Sequence, residues 1–307
     1  MVTSSVLALC PNLESMDVKI SASAPEAAEN PTFYRYMQTR IAKTGNISVQ
    51  GSTFPLLQKL VVDTPCRHTS ESFGLERLGF LLDAAPNMQS LFLVHTTGRI
   101  GGAPISSKLS WPGIAKLQQL HLQGYRRSTA LPVAYDSIRG LMEQAPYMDT
   151  FTFFAVSHEV AWSRRNPFSP ARLLQALLPA RQSIANLAIF TSFIFVEDTV
   201  KVAIGPILQQ FTNLTSLNLD EQCFCHHWID TTKGGYHDYQ ETCLVDVLPV
   251  SIEHPIARLH DRSRTVKDVI CLGHTAGSFP RLQSVTVEFG DEILDRQEGR
   301  FGEERID

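Results

Sequence analysis

Two stretches of the chain share one grammar: "LLDAAPNMQSLFLV" (Leu81–Val94) and "LMEQAPYMDTFTFF" (Leu141–Phe154). In both, an apolar pair leads to Ala-Pro, then one residue, Met, two polar residues and an alternating apolar run. The same grammar recurs along the chain. "LALCPNLESMDV" carries it at Leu13, Met16 and Val18, and "STFPLLQKLVV" at Leu57, Leu60 and Val62. "WPGIAKLQQLHL" uses Leu117, Leu120 and Leu122, and "RQSIANLAI" uses Ile184, Leu187 and Ile189. "QQFTNLTSLNL" uses Leu214, Leu217 and Leu219, and "GSFPRLQSVTV" uses Leu282, Val285 and Val287. The shared core is apolar-x-x-apolar-x-apolar, usually entered through Pro or Phe.

Successive copies start about 44, 31, 29, 31, 36, 30 and 68 residues apart, counted from Leu13, Leu57, Met88, Leu117, Met148, Ile184, Leu214 and Leu282. The last gap leaves room for a degenerate copy at "VLPVSIEHPIARLH", near Ile252. Periods of this size mark a repeat architecture. The x-apolar-x-apolar end has period two and predicts a short, half-buried strand. The segment before the Pro has helical spacing. It places Leu75, Leu78, Leu81 and Leu82 on one face, Leu173, Leu174, Leu177 and Leu178 on another, and Ile138, Leu141 and Met142 on a third. Proline neither continues a helix nor favours helix at the residue before it, so it marks the corner. Each unit therefore reads helix, corner, strand. Helices alternating with strands predict a parallel sheet. No single unit buries both its faces, so stacking is expected to build one continuous core.

The strand segments "LCPNLESMDV", "FPLLQKLVV", "FTNLTSLNL" and "FPRLQSVTV" resemble leucine-rich repeats. The form is similar to the irregular repeats of diverged fungal F-box/leucine-rich-repeat proteins, although no F-box is visible in the sequence. The resemblance implies an α/β solenoid, with a curved parallel sheet on the concave face and helices on the convex face. The resemblance covers about residues 6–290, within a solenoid expected over residues 1–290 and followed by a charged tail expected at 291–307. It also implies a protein-binding role. The alternative within the same family is a ubiquitin-ligase substrate receptor whose F-box is missing or lies upstream, with a ligase adaptor as partner if such an F-box precedes these residues.

Bulk properties bound the rest. The chain has 307 residues, 43% of them hydrophobic, enough for a substantial core. A net charge of -4 gives no electrostatic reason to expect nucleic acid. Six cysteines in so long a chain do not form a disulfide framework. The start "MVTSSVLALCPNL" lacks the basic region of a signal peptide, and no apolar run reaches the length of a membrane span. The expected compartment is cytoplasm or nucleus.

Chemical motifs are sparse. "DEQCFCHHWIDTTKGGYHDYQETC" gathers Cys223, Cys225, His226, His227, His237 and Cys243, with His254 beyond. Cys and His are zinc ligands, so a metal-binding protein using Cys223 to His254 is a further alternative. The Cys-x-Cys-His-His spacing argues against it. The preferred reading has Cys223 and Cys225 continuing the strand past Leu219, with no metal. "GRIGGAP" (Gly98–Pro104) lacks the Lys-Ser/Thr ending of a phosphate loop, and "HEVAW" (His158–Trp162) lacks the second His of a zincin. No catalytic residue and no cofactor is nominated, and the chain is read as non-enzymatic.

Strand alternation nominates a binding surface. The residues between the buried positions point to the opposite face. One row is Asp17, Val61, Phe92, His121, Thr152, Ala188, Asn218 and Thr286. The next is Lys19, Asp63, Val94, Gln123, Phe154, Phe190, Asp220 and Glu288. Aromatic anchors dominate binding energies. The expected partner site is therefore Phe92, Phe154 and Phe190, with His121 and Asp220 at the rim. The competing expectation is that a loop such as His95–Ser107 folds over these residues and makes them core.

Overall fold

The computed structural model describes residues 12–19, 54–63, 82, 84–96, 113–124, 135–154, 168–191, 204–224, 243–259 and 270–289. The charged tail 291–307 and most of the loop His95–Ser107 lie outside these residues, as do Leu75, Leu78 and Leu81.

Each of the eight apolar triplets enters a strand. These strands are β1 (Ser15–Lys19), β2 (Lys59–Asp63), β3 (Ser90–Thr96), β4 (Gln119–Gly124), β5 (Thr150–Phe154), β6 (Asn186–Phe190), β7 (Ser216–Asp220) and β9 (Thr286–Phe289). The degenerate copy near Ile252 forms the remaining strand, β8 (His254–Leu259). All nine belong to one parallel sheet whose spatial order is the chain order. The chain thus advances one strand per repeat and never steps back.

The triplet works as its spacing demands. Its first members, Leu57, Met88, Leu117, Met148, Ile184, Leu214 and Ile252, are fully buried at the corner. Its second members, Met16, Leu60, Leu91, Leu120, Phe151, Leu187 and Leu217, pair in register across β1 to β7, and Pro255 continues the row in β8. All but Met16 and Pro255 are 2% exposed or less. Val285, at the far end, is only partly buried. The third members, Val62 to Ala257, form a parallel buried row.

A turn precedes most strands, closed by an N–H three residues past its carbonyl. Leu57 donates to Phe54, Met88 to Ala85, Met148 to Ala145 and Leu282 to Phe279, at 3.0–3.3 Å. In these four, Pro55, Pro86, Pro146 and Pro280 occupy the second position of the turn. A fixed φ near −65° suits that position, and its amide is not needed there. This is why the Pro recurs at the corner. One residue further on, the repeats are stitched together. The carbonyls of Glu14, Gln58, Gln89, Gln118, Asp149, Ala185, Thr215 and Glu253 each accept two consecutive N–H groups of the next repeat, at 2.8–3.2 Å.

The described helices pack on the face that carries the buried rows. They include α1 (Tyr135–Gln144), α2 (Pro170–Leu177), α3 (Ile204–Leu208), α4 (Glu221–Phe224) and α5 (Cys243–Val247). In α1 the predicted Ile138, Leu141 and Met142 are buried, while Asp136, Arg139 and Glu143 face water. In α2, Leu173, Leu174 and Leu177 are buried, and Leu178 begins a 3-10 turn, Leu178–Ala180. Ser169 caps α2 by accepting the Arg172 N–H at 3.3 Å, with Pro170 at the first helical position. Helix α1 packs on α2, α2 on α3, and α3 on α5. The last contact depends on Gly205, because a Cβ there would run into the Asp246 carbonyl.

One local expectation is corrected. The strand does not continue through Cys223. It stops at Asp220, and Glu221–Phe224 turns into α4, which places the Cys223 thiol in the core. Cys225 lies outside the described residues.

Candidate partner-binding face

The other side of the sheet, turned away from the described helices, carries the residues that alternate with the core rows. Strand register brings Asp17, Val61, Phe92, His121, Thr152, Ala188, Asn218, Ile256 and Thr286 into one line. Asp17 and Thr286 are exposed at the ends, and the seven between them are half-buried. A second line runs Gln123, Phe154, Phe190 across β4 to β6, and Asp220, Arg258, Glu288 across β7 to β9. A register shift after Leu93 in β3 interrupts the ladder where Val94 approaches β4.

The sequence nominated five residues, and they separate into two clusters. In the first, the Phe92 ring lies 5.7 Å from the His121 ring, and the Lys59 ammonium stands 5.3 Å from the Phe92 ring centre. Burial lowers the His121 pKa from 6.5 to about 4, against a hydrogen bond with Gln123 that favours the proton. The imidazole is therefore neutral at pH 7.

In the second cluster, Phe154 meets Phe190 edge to face, with centroids 5.6 Å apart. Phe154 remains half-buried, but Phe190 is only 7% exposed. The Arg258 guanidinium lies 3.9 Å from the Phe190 ring centre, and its Nε donates to Glu288 Oε2 at 2.7 Å. Asp220 is also buried, at 1% exposed. Its carboxylate accepts the Thr191 N–H at the end of β6, and the Thr191 hydroxyl lies 3.5 Å from Cys223 Sγ. Asp220 thus ties β7 to its neighbour from within. The accessible aromatic surface is therefore Phe92 and Phe154, with His121 between their strands.

Arg258 and Lys59 were not nominated. Arg258 was within reach of sequence reasoning, because Ile252, Pro255 and Ala257 keep the spacing of the repeat. Extending the rows through that copy adds Ile256 and Arg258. Nothing in the local pattern singles out Lys59.

The chemistry of these groups is quiet. Burial pushes the Cys223 thiol strongly upward, the Asp220 charge adds to this, and hydrogen bonds with Thr191 and the Asp220 backbone oppose it. A buried thiol of this kind is not a nucleophile at neutral pH. Among the described residues no group of three or more His, Cys, Asp or Glu side chains is placed to hold a metal ion. Of the metal alternative, Cys225, His226, His227 and His237 lie outside the described residues, as does the side chain of Cys243. Cys223 belongs to the core, whereas His254 is exposed on the opposite side of the sheet, with Nδ1 2.9 Å from the Ser284 hydroxyl. Among the described residues no helix is long and apolar enough to cross a membrane. Compared with known proteins, the chain matches no family model and no curated protein.

Proposed function

We propose that the chain is a leucine-rich-repeat-like solenoid that serves as a non-enzymatic scaffold. It binds another protein on the sheet face turned away from the helices, in the cytoplasm or nucleus. The strict chain-order stacking of nine parallel strands supports the architecture. The observation that carries the binding role is the row of half-buried side chains running from Val61 to Ile256, with Phe92 and Phe154 among its strands. The row sets the apolar and aromatic side chains of Val61, Phe92, Ala188 and Ile256 among the polar His121, Thr152 and Asn218, a mixture of anchors and polar groups that suits a protein-binding surface.

A photo-crosslinking amino acid placed at His121 tests the site, with Gln175 on the exposed side of α2 as the control position. A protein crosslinked from position 121 and not from 175 is the expected result. Replacing Phe92 and Phe154 together with Ala should then weaken that complex at least about 30-fold, the loss of roughly 2 kcal/mol typical of an aromatic anchor. Equal crosslinking from both positions, or unchanged affinity in a folded double variant, overturns the assignment.

A further inference from the structure

We draw no further inference here: the strongest candidate, the half-exposed apolar end of the core at the last strand, formed by Leu282, Val285 and Val287, carries nothing because nothing among the described residues shows what covers its outer side.

Discussion

At the scale of single residues, burial has changed the chemistry of two side chains. His121 sits beside Phe92 on the sheet, and its folded pKa of about 4 lies below its ordinary value of 6.5. The unfolded chain binds a proton at this site between those values, and the folded chain does not. Stability from the neutral imidazole is therefore fully present above pH 6.5 and is lost as the pH falls through 4. Chemical denaturation at pH 7 and pH 4 should show the wild type losing on the order of 3 kcal/mol more than His121→Gln. Identical pH profiles would mean the ring is hydrated in the folded state. Cys223 makes the complementary case. It is 1% exposed, its thiol is held protonated, and it packs against Thr191 and Asp220. Alkylation at pH 8 followed by peptide mass mapping should leave Cys223 unmodified until denaturant is added, while the partly exposed Cys271 reacts. Rapid labelling of Cys223 in the native protein would contradict its place in the core.

At the scale of elements, the corner and the strand were legible because both rest on short-range rules. Proline at the second position of a tight turn, followed by apolar residues at fixed spacing, permits few conformations. Leu57, Leu60 and Val62 could be assigned to one buried face without knowing what covered them. The β8 copy was fainter, because Pro255 and Ala257 stand where other repeats carry Met, Leu, Phe, Ile or Val. The helix at Glu221–Phe224 was not legible. Cys223 and Cys225 keep the inward parity of Leu219 and so read as a strand, and it is the Asp220 bond to Thr191, made across the sheet, that accompanies its end. The same limit hid the burial of Phe190, whose cover, Arg258, comes from a strand two places away. Close approach at the corner gives a sharp test. A Cβ on Gly113 would lie 2.6 Å from the Leu82 carbonyl oxygen and 2.7 Å from that of Ala85, and neither is a side chain able to rotate away. Gly113→Ala should cost about 1–3 kcal/mol in urea denaturation. An unchanged midpoint would show that the corner relaxes freely.

At the scale of the whole molecule, order along the sheet dictates how stability is distributed. Each strand packs on its immediate neighbours in sequence, and the repeats are joined by one doubly accepting carbonyl at each junction. For a sheet ordered in this way we expect stability to approximate a sum of units and nearest-neighbour interfaces, as it does in repeat proteins. Central units have two such interfaces, whereas among the described strands β9 has only β8. Their side chains agree: Leu120 and Leu187 are 1% and 2% exposed, while Val285 and Val287 are only partly buried. Leu120→Ala should therefore cost about 2–5 kcal/mol, because a buried cavity opens between two neighbours. Val287→Ala removes fewer carbon atoms, and from a half-covered site, and should cost less than about 1 kcal/mol. Native-state hydrogen exchange gives the independent readout. Amides of β4 to β6, including Leu120, Phe151 and Leu187, should exchange slowest, and those of β9 should open at lower free energy without unfolding the centre. The Leu120→Ala variant should lower protection in β3 and β5 more than in β8. Uniform protection across all nine strands, falling together in both variants, would mean that the sheet opens as one cooperative unit and that nearest-neighbour addition is the wrong description of its stability.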